Sequence, residues 1–443
     1  MPYNQPNNEF DKMQILFIGL IVWLYSKTLL NWFGDYRSLR FCAMASVVAL
    51  FVFRGIVMAD NKNLRQANKA KKDEFYTQLS DIEKEMRHYK ECFEGKTVFC
   101  NCDDPFESNF FKYFASNFNY LKLKKLIATC YVTSPMVCQE LLYCVDKTGQ
   151  LCFFPTDESI PLELDKVKRP YKIEITEVND ENGDGAIDIS DVEWLLKNNK
   201  NSLSLLEGNG DFQSDECIDL LNKSDIVVTN PPFSKFRDFI STMVSHSKDF
   251  IVIANTNSLG YKEIFKLFQK DKIRTGYTNF NSGMYFFVPP DTTQYHKIID
   301  NRKSVRVSTS CWLTTLEVKK HKETLQLYKK YHGNESEYKK YYNFDAINVG
   351  LYTDIPYDYD GVIGVPITFL DKYNPNQFEI LGLGIAGLGL EAGVKPYTAE
   401  HKKYRKEVQH KGAVDGDLYM VDEYGNPEVP YSRILIRRKN NEN

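Results

Sequence analysis

The chain has 443 residues, 43% of them hydrophobic and 26% charged, an ordinary globular composition that can bury a large core in one big domain or two. Its net charge of -3 excludes a partner held by bulk charge, so a nucleic-acid enzyme of this composition must gather its cations on one face. Ten cysteines with neither a CxxC pair nor a secretory cleavage pattern point to reduced thiols in the cytoplasm and to no zinc site.

Residues 1–57 differ from the rest. The apolar run 15–25 and a second, 41–58, interrupted by Arg54, are both short for membrane spans. If both crossed, the loop with Arg37 and Arg40 would lie opposite Lys62, Arg65 and Lys69, although both basic clusters belong on the cytoplasmic side. Met58 opens a polar, basic leader. Residues 1–57 therefore read as an upstream start included in error, with a membrane segment as the alternative.

Beyond the leader, Ile82, Met86 and Tyr89 line one face of a helix, and Phe110, Phe111, Tyr113 and Phe114 mark another, capped by an Asp or by Ser108. Apolar runs at 97–102, 126–132, 202–206, 226–229, 250–254, 284–288 and 310–316 read as strands, and 215–221, 234–245 and 262–270 as helices. The succession predicts an α/β, Rossmann-like sheet of seven strands.

Residues 133–200 interrupt it as an insertion. Within them the spacing of 180–191 fits a twelve-residue calcium loop. Asp180, Asn182, Asp184, the Ala186 carbonyl, Asp188 and Asp191 supply the oxygens, Gly185 makes the sharp turn and Ile187 anchors it. Position 12 is Asp where Glu is usual, and the preceding segment alternates like a strand. The pattern is closer to a dockerin-like loop than to a paired EF-hand, and its rival reading is a solvated Asx turn.

The strand 226–229 ends in Asn230-Pro231-Pro232-Phe233. Each proline forces the residue before it into an extended conformation and offers no N–H. The result is a rigid elbow presenting acceptors at a strand's carboxyl end, the edge where open α/β sheets bind ligands. Such an elbow suits a nucleobase amino group, whose lone pair is delocalised into the ring. The Asn230 side-chain oxygen and the Pro231 carbonyl can take both amine hydrogens, Phe233 can stack on the base, and the amine can then attack a methyl sulfonium in line. An ordinary turn after a core strand is the plainer alternative.

Further on, 319–342 interleaves lysines with tyrosines, which suits either phosphate contacts with stacking or a solvated helix whose tyrosines pack inward. The glycine-rich 381–393 reads as a flexible or closely packed loop.

Six stretches, in order, resemble the EcoRI-type adenine-specific DNA methyltransferases over about 69–438. They are Asp73-Glu74-Phe75-Tyr76-Thr77-Gln78, Cys100-Asn101-Cys102-Asp103-Asp104-Pro105, Gly210-Asp211-Phe212, the elbow, Gly364-Val365-Pro366-Ile367-Thr368-Phe369-Leu370 and Arg433-Ile434-Leu435-Ile436. The resemblance implies a Rossmann-like, S-adenosylmethionine-dependent sheet with a C-terminal recognition region, acting on adenine N6 in double-stranded DNA, with a cognate restriction endonuclease as a partner. It implies cofactor contacts from Phe75, Tyr76, Thr77, Asn101, Asp103 and Asp104, and from Asp211 with Phe212 nearby. The glycine-rich loop of many methyltransferases is absent after the first strand. On this reading 58–132 begins the cofactor site, 133–200 is inserted, 201–318 is catalytic and 319–443 meets DNA. Transfer to cytosine N4 is the near alternative. A membrane-tethered, calcium-binding nucleic-acid module without catalysis is the distant one.

Overall fold

The computed structural model describes residues 76–102, 108–130, 144–145, 151–152, 160–161, 170–180, 183, 191, 203–288, 292–293 and 295–439. The apolar extension 1–57, the leader from Met58, Phe75, Asp103, Asp104, Asn182, Asp184, Ala186 and Asp188 lie outside them.

Among the described residues eight strands form the central sheet: Thr97–Cys100 (β1), Lys125–Thr129 (β2), Tyr171–Ile175 (β3), Leu203–Leu205 (β4), Ile226–Thr229 (β5), Asp249–Asn255 (β6), Arg274–Thr275 (β7) and Ser310–Thr314 (β8). Their order is β7-β8-β6-β5-β1-β2-β3-β4. The middle four, β6-β5-β1-β2, are parallel. Parallel strands are covered on both faces, which is why Ile226-Val227-Val228-Thr229 is buried throughout and reads as a continuous run rather than an alternation.

Helices Leu79–Met86 (α1), Asn109–Ser116 (α2), Asp215–Lys223 (α3), Phe236–Ser245 (α4) and Lys262–Gln269 (α5) surround the sheet. Ser108 Oγ accepts from Phe110 N–H and Ser214 Oγ from Cys217 N–H, each satisfying one orphan donor of a first helical turn. The chain runs from β1 through α2 to β2 on one side and returns through α3 to β5 on the other. Order therefore reverses between β1 and β5, and their carboxyl ends frame the ligand crevice of such sheets.

Two expectations are corrected here. Among the described residues the sheet has eight strands, not seven, because β3 from the insertion pairs antiparallel with both β2 and β4 and displaces β4 to the edge. Met284–Phe287, expected as a later core strand, joins a separate antiparallel sheet ordered Tyr76–Thr77, Met284–Phe287, Arg302–Val307, Lys297–Ile299. Both flanks of β8 are already taken by β6 and β7, so no place in the central sheet is left beside it.

A third sheet, ordered Ile347–Asn348, Ile363–Pro366, Arg433–Arg438, Phe378–Leu383, lies in the C-terminal part. The 381–393 stretch is not a loop. It completes Phe378–Leu383 and then forms the helix Ala386–Glu391. Its glycines serve close approach: a Cβ on Gly389 would run into the Gly416 carbonyl. The 319–342 stretch carries two short 3-10 turns, Lys319–Lys322 and Glu335–Glu337, and not the solvated helix of one of its two readings, although Tyr331, Tyr338 and Tyr341 are buried and only Tyr328 of these four is exposed. One apolar core joins this region to the central sheet, running from Phe99, Val227 and Val252 through Phe265 and Phe268 of α5 to Phe378, Ile380 and Ile436.

Buried His321 stitches the same boundary. In the neutral tautomer its Nδ1–H donates to the Tyr373 carbonyl at 2.8 Å, and Thr275 Oγ1 donates to Nε2 at 3.1 Å. Burial is the main cause that holds its pKa below the ordinary value. A depressed histidine pKa contributes stability that is present above the unfolded pKa, about 6.5, and lost as pH falls through the folded one. Melting temperature should fall as pH drops below about 6.5, and less steeply in His321→Gln; parallel profiles for the two proteins would refute this.

Candidate active site

β5 delivers the elbow. Thr229 is the last buried strand residue, Asn230 is half-buried and Pro231 buried. Pro232, at φ -56 and ψ 123, remains extended, and the chain then tightens into the 3-10 turn Phe233–Lys235 before α4. Lys235 N–H returns to the Pro232 carbonyl at 3.0 Å. Two prolines followed by a closed turn leave this backbone little freedom.

Neighbouring strands bring other residues to the same edge. Val98 and Phe99 of β1 pair with Ile226 and Val227 of β5, a register that carries Asn101 level with Thr229. Phe233 meets Phe286 edge-on, with ring centroids 6.5 Å apart at 89°. Phe286 in turn pairs with Thr77, and the Thr77 carbonyl accepts from Asn109 Nδ2 of α2 at 2.7 Å. The Tyr76–Thr77 strand and the elbow, far apart in sequence, are thus joined through one phenylalanine.

Asp211 arrives from the loop after β4. Gly210 before it has φ +72, and a Cβ there would strike the Cys130 carbonyl beyond β2, so only glycine fits. Asp211 Oδ1 accepts from Gln213 N–H at 3.0 Å and Oδ2 from Lys235 Nζ at 2.6 Å. Phe212 turns inward and packs on Phe239 of α4, with centroids 5.2 Å apart.

The elbow, Thr77, Asn101 and Asp211 are therefore brought together, whereas Phe75, Asp103 and Asp104 lie outside the described residues. Lys235 and Phe286 were not foreseen. Lys235 could have been suspected as a cation one turn past an elbow that faces an acid; Phe286 gave no signal, because its pairing with Thr77 is non-local. Of the calcium loop, Asp180 Oδ1 accepts from Gly183 N–H at 2.7 Å and Asp191 is buried. Among the described residues no group of three or more His, Cys, Asp or Glu could hold a metal, and no helix is long and apolar enough to cross a membrane. A cleft of about 570 Å³ beside Arg405, Gln409 and Lys411 includes none of these site residues.

Residues 63–439 match the family described as adenine-specific methyltransferase EcoRI. The chain belongs to this family. Over 386 residues it is 42% identical to the Type II methyltransferase M.EcoRI of Escherichia coli, covering 86% of this chain and 98% of that protein. It is 36% identical to the Type II methyltransferase M.MpnI of Mycoplasma pneumoniae over 71% of this chain and 84% of that one. M.MgeORF184P of Mycoplasma genitalium is 34% identical over 72% and 85%. No solved structure matches the chain. The expectation of an adenine-specific DNA methyltransferase is borne out, and the family uses S-adenosylmethionine.

The residues present fit that cofactor. Thr77 Oγ1 and Asn101 Nδ2 are buried with no hydrogen-bond partner among the described residues. Buried polar groups are rarely left so, and a polar ligand at this edge would satisfy them.

Proposed function

We propose that this enzyme methylates the N6 amino group of adenine within a short duplex sequence, in the cytoplasm, as the modification half of a restriction-modification system with a cognate endonuclease. The observation that carries this reading is the Asn230-Pro231-Pro232-Phe233 elbow at the carboxyl end of β5, beside the point where strand order reverses. The target amine is hidden in a duplex, so the base must be flipped out to reach it. Asn230 Oδ1 and the Pro231 carbonyl accept the two amine hydrogens, which draws the lone pair out of ring conjugation and aims it. Phe233 stacks on the adenine, and Pro232 keeps the acceptors fixed. Bound S-adenosylmethionine supplies an electrophilic methyl carbon. Thr77, Asn101 and Asp211 hold it, assisted by Phe75, Tyr76, Asp103 and Asp104, with Phe212 supporting Asp211 from the core. Residues 319–443 supply much of the surface that meets the target sequence.

The test is methyl transfer from labelled S-adenosylmethionine to mixed-sequence duplex DNA, followed by nucleoside analysis. Label in N6-methyladenine is expected. Label in N4-methylcytosine would replace the reading with its near rival, and no label from folded protein would remove it.

Calcium in the 180–191 loop belongs to the same proposal as a structural ion. The Asp180 turn onto Gly183 N–H is compatible with the start of such a loop. Calcium should raise the melting temperature of the parent but not of Asp184→Asn; a parent that ignores calcium removes the ion.

A further inference from the structure

A chain of net charge -3 must concentrate cations to hold a polyanion, and the second sheet does so. Its hairpin, Lys297–Ile299 with Arg302–Val307, carries Lys297, Arg302, Lys303 and Arg306, while Asp300 is the sole acid from 295 to 307. Asp300 and Asn301 both take left-handed backbone, φ 48 and 59, as a tight two-residue hairpin turn requires. That turn fixes the register.

Cross-strand partners point to the same side of a sheet. Tyr285 pairs with Arg306, Phe287 with Ser304, Ser304 with Lys297 and Arg302 with Ile299. Lys297, Arg302 and Arg306 therefore share one face with Tyr285 and Phe287. Lys297 Nζ lies 4.0 Å from the Tyr285 ring centroid, and Arg302 Cζ lies 4.5 Å from that of Phe287. A ring positions a cation without neutralising it as a carboxylate would. Arg306 donates to the Ser282 carbonyl at 3.0 Å, and neither it nor Lys297 has an acidic partner among the described residues. Several lysines of 319–342, by contrast, are matched: Lys320 with Asp371, Lys322 with Glu317, and Lys339 with Glu428. Phe286, between Tyr285 and Phe287, points to the opposite side, toward Phe233 of the elbow.

We propose that this cationic, ring-backed face of the second sheet, carrying Lys297, Arg302 and Arg306, grips the phosphate backbone of the duplex beside the flipped adenine. The proposal rests on the DNA-methyltransferase reading and adds the surface that anchors the duplex. Arginine offers a planar fork to phosphate oxygens and lysine a point charge, so these contacts set register and salt-dependent affinity without reading sequence.

The experiment measures DNA affinity of the full chain against salt concentration, for the parent and for Lys297→Gln/Arg306→Gln. Each lost phosphate contact lowers the slope of log affinity against log salt by about 0.9. The double variant should lose about 2 from the slope and bind about tenfold more weakly in low salt. Lys297→Arg/Arg306→Lys should restore both, and Lys84→Gln/Lys122→Gln, at lysines already paired with Asp81 and Glu94, should change neither. An unaltered slope in the first variant, beside a parent that binds and methylates duplex DNA, overturns this surface alone. An equal loss from the Lys84 and Lys122 pair overturns its location. A parent that neither binds nor methylates duplex DNA removes the underlying reading and the surface with it.

Discussion

Asn230→Ala should lower single-turnover methyl transfer by about 100- to 1000-fold, the usual loss when one preorganised polar group at a reacting centre is removed. Cofactor binding by the protein alone should change far less. The argument rests on what alanine retains. β5 is held by its buried Ile226, Val227 and Val228 and by ladders to β1 and β6, none of which involves the Asn230 side chain. Pro231 and Pro232 still force an extended backbone, so the Pro231 carbonyl keeps its aim. What is lost is one of two acceptors for the amine hydrogens. With one hydrogen engaged, the lone pair stays largely in the ring and the amine can rotate away from the methyl carbon. Asn230→Asp is the informative partner, since it keeps an acceptor at the same reach and should retain more activity than alanine. Transfer by Asn230→Ala within tenfold of the parent would show that the elbow is a turn and no more.

That the elbow was readable from sequence, while its surroundings were not, has a physical cause. Proline's constraints are local: they act on the residue itself and the one before it, so a tetrapeptide announces its own geometry. The same holds for β1, β5 and β6, whose apolar runs report burial on both faces, and for α3, whose Ser214 cap sits in its own first turn. Pairing is different. Nothing in Tyr171–Ile175 announces that it intrudes between β2 and β4, and nothing in Met284–Phe287 announces a partner at Tyr76–Thr77. A short apolar run specifies that it is buried, not beside what. Glycine misled for a related reason. Gly389 was read as loop chemistry, yet it sits in a helix and serves the close approach of Gly416, a contact that involves a distant residue.

The largest expected effect on stability comes from a group the sequence did not single out. Glu85, fully buried at the end of α1, accepts from Tyr89 Oη at 2.9 Å, from Tyr277 N–H at 2.7 Å, and from Thr278 N–H and Oγ1 at 2.7 and 2.6 Å. A carboxylate has about four acceptor sites, and all are engaged. Gly276 lets the loop close this tightly, since a Cβ there would strike the Glu85 carboxylate. Glu85→Ala strands these donors, two of them backbone N–H groups that cannot turn away, at about 1–3 kcal/mol for each buried donor. After partial relaxation the loss should be about 3–5 kcal/mol, a fall in melting temperature of about 3–6 °C for a chain of this size. Glu85→Gln keeps one acceptor oxygen but turns an NH2 toward donors, and should recover only part of the loss. The Tyr89 hydroxyl is pushed far above its ordinary pKa by burial first and by Glu85 second. Its contribution is therefore full below about pH 10 and is lost as pH rises beyond it. Thr278 lies just ahead of Met284–Phe287, the strand that holds Phe286 against Phe233, so Glu85→Ala should also slow methyl transfer at temperatures where the protein remains folded. Calorimetry of the parent and both variants checks the first claim, and single-turnover transfer checks the second. A Glu85→Ala protein melting within about 2 °C of the parent would mean that water or a rearranged loop satisfies these donors equally well.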